Sequence, residues 1–248
     1  MPIMQPRSLL ALCAALLAPL AFACADKAVA PEDATPPISG TENVYVVSAD
    51  DVILNGRFFG PDHEVAVVLS HMQPNDQTAW FEFAQELADA GYAAVTFNFR
   101  GYGDSGGERE FDKLDDDLAA VVGYMHDRGK GRVFLIGASM GGTTSLVVAA
   151  QADVDGVVAI SAPAEFEGQD ALGAVPNVTV PKLFIASEGD ELAALSIEQL
   201  LEATGEPKDS QLYPGIAHGT NMFLPDQSES SAAVRQRILA FLAEYAGS

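Results

Sequence analysis

Ser139 lies in the run Gly137-Ala138-Ser139-Met140-Gly141-Gly142, between a short apolar stretch (132–136) and a helix-compatible one (143–151). A serine in Gly-x-Ser-x-Gly at such a junction is the sequence form of a nucleophile elbow. The chain must reverse so tightly that the serine stands at the apex, its hydroxyl exposed, in a strained backbone conformation. Residues two before and two after the apex then lie almost against each other, so a side chain at either would clash. A plain glycine-rich turn could carry the same six residues, and the serine's partners decide between the two readings.

A serine hydroxyl is a weak nucleophile at neutral pH and needs a base within hydrogen-bond reach. The chain holds four histidines, His63, His71, His126 and His218. His126 sits at a helix end beside Asp127 and Arg128 and reads as solvated; His63 reads as a turn residue. His218 falls in a loop directly after the last expected strand, on the sheet edge from which Ser139 also emerges. The base needs an acid to fix its tautomer and stabilise the imidazolium. The loop 187–191 offers Glu188, Asp190 and Glu191. Asp190 follows a glycine turn one element before the histidine and is the choice, with Glu188 and Glu191 as competitors.

These residues require a sheet that brings three loops to one edge. Segments 44–48 and 52–59 alternate as a strand hairpin. Runs at 65–70, 93–97, 132–136, 156–160 and 182–186 are continuously apolar, as strands covered on both faces should be. A short strand is expected near 211–213. Helical spacing appears at Trp80, Phe83, Ala84 and Leu87, stopped by Gly91, and again at 111–126, 143–151, 195–203 and 232–245. Strands alternating with helices imply an α/β fold, a mostly parallel central sheet of about eight strands with helices on both faces. Trp80 and its neighbours Phe81 and Phe83 read as core.

With 13 Lys plus Arg against 35 Asp plus Glu, the net charge is −22. That argues against nucleic acid or anionic headgroups as partners through basic patches. Residues 9–25 carry no charge after Arg7, are too short for the ~20 residues of a membrane span, and end in small residues. Residues 1–25 therefore read as a secretory signal peptide. Cys24 resembles the lipidated cysteine of bacterial lipoproteins, although Ala21 and Phe22 depart from that pattern; simple cleavage and release is the alternative. Both cysteines, Cys13 and Cys24, lie in this leader, so no thiol catalysis or disulfide framework is expected. Residues 26–42, with prolines at 31, 36 and 37, read as a flexible linker to a single domain at 43–248. The expected location is the bacterial cell envelope or the secreted or periplasmic space.

On the elbow, the element order and the sequence Ser139, Asp190, His218, the chain resembles the α/β-hydrolase superfamily over about residues 43–246. The resemblance implies a nucleophile–acid–histidine triad in that order. Residues 69–74 resemble the family's His-Gly-x-Pro loop, so the backbone N–H groups of Gln73 and Met140 would form the oxyanion hole. Met72 stands where that family usually has glycine, and His71 reads as a structural hydrogen-bonding residue. Residues 99–107 resemble the family's glycine-rich turn after the fourth strand, with Arg100 and Asp104 expected to tie it together. Ser105 has no elbow strand before it. Asp115, Asp116 and Asp117 read as solvated acids near a helix start. The implied activity is hydrolysis of carboxylic esters through an acyl-enzyme, with no metal or organic cofactor. Thioester or peptide hydrolysis uses the same triad, and a non-catalytic binding protein on this fold is the reading from a different class. Only about twenty residues, 161–180, separate two late strands, too few for a large helical cap, which suits small or medium esters.

Overall fold

A computed structural model describes residues 40–247. The expected leader, with Cys13 and Cys24, and the linker up to residue 39 lie outside the described residues. Among the described residues no helix is long and apolar enough to cross a membrane.

The strands are β1 (Thr41–Val47), β2 (Ile53–Phe59), β3 (Val65–Ser70), β4 (Ala93–Phe97), β5 (Arg132–Ala138), β6 (Gly156–Ile160), β7 (Glu165–Phe166), β8 (Gln169–Asp170), β9 (Lys182–Ser187) and β10 (Lys208–Tyr213). The helices are α1 (Phe81–Asp89), α2 (Leu114–Asp127), α3 (Met140–Ala149), α4 (Ala171–Ala174), α5 (Glu191–Ala203) and α6 (Ser231–Tyr245). Eight strands form one sheet in the order β1-β2-β4-β3-β5-β6-β9-β10, and β7 and β8 pair as a separate small hairpin. β2 runs antiparallel to both β1 and β4; every pairing from β4 to β10 is parallel. This is the mostly parallel α/β architecture that the alternation of apolar runs and helical spacing predicts. β1 begins at Thr41, inside the stretch expected to be linker.

Every residue of β3, β4 and β6 is buried. Alternate side chains of β3 feed two separate cores. Ala66 and Val68 face Leu118, Val121 and Met125 of α2, with Leu146 of α3 and Ile197 of α5 in the same cluster. Val67 and Leu69 face the other way, into a cluster holding Phe83 and Leu87 of α1 and Ile238 and Phe241 of α6. Each fully buried leucine or phenylalanine contributes roughly 1.5–3 kcal/mol, so two cores hold the sheet from both sides.

The register lines up the strand ends that matter. Ser70 pairs with Gly137, Ala138 with Ile160, and Tyr213 with Ser187. The loops after β3, β5, β6, β9 and β10 therefore leave one edge together. The chain order reverses between β3 and β5, and in open α/β sheets ligands bind outside the strands' carboxyl ends at such a reversal.

Candidate active site

Ser139 follows the last residue of β5 and stands at the N-cap of α3 with φ 48° and ψ −118°. That left-handed φ is rare for a residue with a side chain and marks local strain. The glycines permit it. A Cβ at Gly137 would collide with the Gly141 carbonyl, one at Gly141 would come 2.7 Å from the His71 carbonyl, and one at Gly142 2.9 Å from Ala162 Cβ. The Ser139 N–H donates to Ile160 O (2.8 Å), and its carbonyl accepts from Thr143 N–H (3.0 Å). Its hydroxyl does not cap the helix. The residue as a whole is only 9% exposed.

His218 Nδ1 lies 2.7 Å from Asp190 Oδ2, so the ring N–H donates to the carboxylate and leaves Nε2 as the acceptor. Asp190's side chain is 13% exposed and that of His218 41%. Among the described residues the Ser139 hydroxyl is bonded to neither. The histidine loop is nonetheless packed on the elbow: a Cβ at Gly219 would lie 3.5 Å from Ala138 Cβ. Glu188 and Glu191, the competitors for the acid, are both exposed.

Met140 is the first residue of α3, so its N–H is one of the helix's donors without an intrahelical acceptor. Gln73, exposed, lies two residues after the Ser70–His71 backbone that rides against Gly141. Met72 is buried and takes no left-handed φ, so the loop accepts a side chain where a glycine was expected. The added bulk is accommodated across the gap by Gly219, where a Cβ would sit 2.5 Å from Met72 Sδ. His71 is wholly buried; its Nδ1 donates to Met72 O (3.0 Å) and its Nε2 accepts from Phe99 N–H (3.2 Å). Burial lowers its pKa to about 4, against the opposing pull of the Met72 carbonyl, so the ring is neutral and ties two loops together.

Arg100 is fully buried and ties the glycine-rich turn to Asp117 (2.7 Å), Asp50 (2.8 Å) and Glu110 (3.2 Å). Two expectations change. Asp117 is accordingly a buried partner on α2 and no solvated acid. Both ring nitrogens of His126 meet carbonyls, of Lys130 (3.2 Å) and Asp153 (2.8 Å), so that residue too is bonded within the fold. Ser105 latches the glycine-rich turn, donating to Asn98 O (2.7 Å) and accepting from Asn55 N–H (2.9 Å).

Sequence spacing gave no reason to single out Ser161 and Ser187, which bond the backbone beside His218. Their one visible signal is a small polar residue at the end of a buried apolar run. A cleft of about 560 Å³ opens beside Asp190 and His218, walled by Pro163, Leu172, Leu192, Ala193 and Leu195, with Glu165 at its side. Leu192 is 81% and Leu195 52% exposed. In place of a helical cap, residues 161–180 supply the β7–β8 hairpin and the four-residue α4.

Residues 61–171 match the family model described as serine aminopeptidase, S33, a segment containing Gln73, Ser139 and Met140. The uncharacterized protein MT2364 of Mycobacterium tuberculosis is 25% identical over 208 residues, covering 71% of this chain and 72% of that protein. The uncharacterized protein YfhR of Escherichia coli O157:H7 is 30% identical over 128 residues, 48% of this chain and 45% of its own. Among solved structures, the Pyrococcus furiosus esterase Pf2001 superposes with a TM-score of 0.71 at 20% identity, covering 84% of this chain and 92% of that one. At that identity the likeness is one of fold.

Proposed function

We propose that this chain, which belongs to the α/β-hydrolase superfamily, is a serine hydrolase that cleaves carboxylic esters of small or medium size. The observation that carries the reading is the pairing of Asp190 with His218 at the sheet edge where the strained Ser139 elbow emerges. His218 Nε2 takes the Ser139 proton as Oγ attacks the ester carbonyl, and Asp190 stabilises the imidazolium. The N–H groups of Met140 and Gln73 hold the tetrahedral oxyanion; each such donor is worth roughly 3 kcal/mol in the transition state. The leaving alcohol departs with the proton from His218, and water repeats the cycle on the acyl-enzyme. No step needs a metal or an organic cofactor.

The apolar cleft beside His218 supports an ester with one hydrocarbon arm, and its ~560 Å³ lies in the usual range of small-molecule sites. A second reading, an aminoacyl amide or ester, is favoured by the matched family's description as aminopeptidases. Glu165 on the cleft wall offers a carboxylate to an α-ammonium group. In our reading the leader at 1–25 exports the enzyme, and residues 26–42 tether it to a lipidated Cys24 or trail from a released form.

Labelling with a serine-directed fluorophosphonate tests the proposal. Wild type should label at Ser139 and Ser139→Ala should not; equal labelling of the two would refute a Ser139 hydrolase and favour a binding protein. Turnover of acyl esters, thioesters and aminoacyl arylamides of matched size then ranks the substrate classes.

A further inference from the structure

Two buried serine hydroxyls hold the backbone on either side of His218. Before it, Ser187 Oγ donates to Ala217 O at 2.7 Å. After it, Gly219 N–H donates to Ser161 Oγ at 3.0 Å. Both serines are 0% exposed, and each stands at the carboxyl end of a sheet strand, Ser187 closing β9 and Ser161 following β6.

Each is more than a filler of space. The carbonyl of Ser187 also accepts from Asp190 N–H at 3.1 Å. One residue thus holds the acid's backbone through its main chain and the histidine's loop through its side chain. Ser161 sits at φ 49°, a left-handed conformation that glycine would adopt without strain. Its main-chain N–H bond to Ile185 O (2.7 Å) would survive in glycine; the hydroxyl would not. That hydroxyl points its proton at Met222 Sδ (3.8 Å), leaving a lone pair for Gly219.

The histidine gains from such support because its side chain is only partly covered. Its side chain is 41% exposed, and Ile216, two residues earlier, is 80% exposed. The ring's position is therefore set mainly by its backbone and by Asp190.

We propose that Ser161 and Ser187 are positioning residues that fix the His218 backbone so that the imidazole meets both Asp190 and Ser139. The proposal rests on the reading of His218 as the base. A reacting group displaced by about 1 Å costs on the order of 10²-fold in rate, which sets the scale of the effect.

The test uses the full chain and p-nitrophenyl butyrate, with kcat, KM and Tm measured for Ser161→Gly, Ser187→Ala, Ser187→Cys and His218→Ala. His218→Ala should abolish turnover. Ser161→Gly should lose on the order of 10- to 10²-fold in kcat with KM little changed. Its Tm should change little, because the relieved backbone strain offsets the lost bond to Gly219 N–H. A slower but no less stable enzyme is the result that a purely structural serine would not give. Ser187→Ala should lose kcat similarly, and Ser187→Cys, a weak donor of similar shape, should recover part of it. The low-field proton resonance of His218 Nδ1–H should broaden in Ser161→Gly. Wild-type kcat in both Ser161→Gly and Ser187→Ala, beside an inactive His218→Ala, overturns the proposal alone. An active His218→Ala instead overturns the reading of His218 as base, and the proposal falls with it.

Discussion

Asp190 stands at the N-cap of α5, yet its carboxylate lies 2.7 Å from His218 Nδ1 and makes no cap. Aspartate is among the best N-cap residues, and a lost cap costs about 1 kcal/mol. Ser139, another good capping residue, likewise stands at the N-cap of α3 without capping it. Two helices thus begin with capping residues whose side chains do not cap, and one of those side chains, the Asp190 carboxylate, is held against the His218 ring instead.

Asp190→Asn should lower kcat by on the order of 10⁴-fold, because an amide favours the wrong histidine tautomer. Urea denaturation should show nearly wild-type stability, since the side chain caps nothing and an amide of the same shape fills its place. Glu188→Gln and Glu191→Gln should keep wild-type turnover; a large loss in either would transfer the acid's role.

Gly137→Ala should be more damaging than Gly142→Ala. The first drives a Cβ into the Gly141 backbone, and the second meets Ala162 Cβ at 2.9 Å and Gly137 O at 3.0 Å, a milder overlap. Overpacking costs about 1–3 kcal/mol, so thermal melts should separate the two, with fluorophosphonate labelling lost in Gly137→Ala first.

His71 gives the fold a pH dependence. Its pKa falls from 6.5 to about 4 because the ring is wholly buried. Between those values the unfolded chain takes up a proton that the native chain refuses. Its contribution is therefore fully present above about pH 6.5 and is lost as pH falls toward 4, by roughly 3 kcal/mol in all. Unfolding free energies measured across that window should show a flatter slope for His71→Asn than for wild type.

Leu192→Asn and Leu195→Asn should weaken selection for hydrocarbon. Burying a leucine against a chain is worth roughly 1.5–3 kcal/mol, so kcat/KM on an octanoyl ester should fall by about 10- to 100-fold. The loss should appear in KM, with acetyl esters little affected, because this binding is uniform through the reaction. Equal losses on both esters would place the hydrocarbon elsewhere.

Cys24→Ala should release the protein from the membrane fraction of a bacterial expression host if Cys24 is lipidated. Continued partition of the variant with membranes would rule out that anchor.

The strands were readable because β3, β4, β6 and β9 are covered on both faces and therefore spell uninterrupted apolar runs. The elbow was readable because Gly137 answers to sterics within five residues, although Gly141 and Gly142 also answer to Ser70, His71 and Ala162 across the fold. β10 was read short: it is an edge strand with alternating partial exposure, and Lys208 to Ser210 carry no apolar signal. Arg100 finds Asp117 and Asp50, 17 and 50 residues away. Partner choice of that kind is made by tertiary packing, and sequence spacing carries no trace of it. Ser161 and Ser187 were invisible for a related reason, since their value lies in which backbone atoms the fold brings to them.

The short passage between β6 and β9 is fastened at both ends. Thr143 Oγ1 donates to Pro163 O at 2.8 Å, and the buried Lys182 ammonium donates to the carbonyls of Val178 and Val180. Between these anchors, Glu167 and Gly168 form the exposed tip of the β7–β8 hairpin, near the cleft wall at Glu165. Lengthening a flexible loop costs only about 0.6 kcal/mol per doubling. That tip is accordingly the natural place for lineage divergence or laboratory grafting, where a new cover could alter substrate choice while the elbow beneath keeps its inherited geometry.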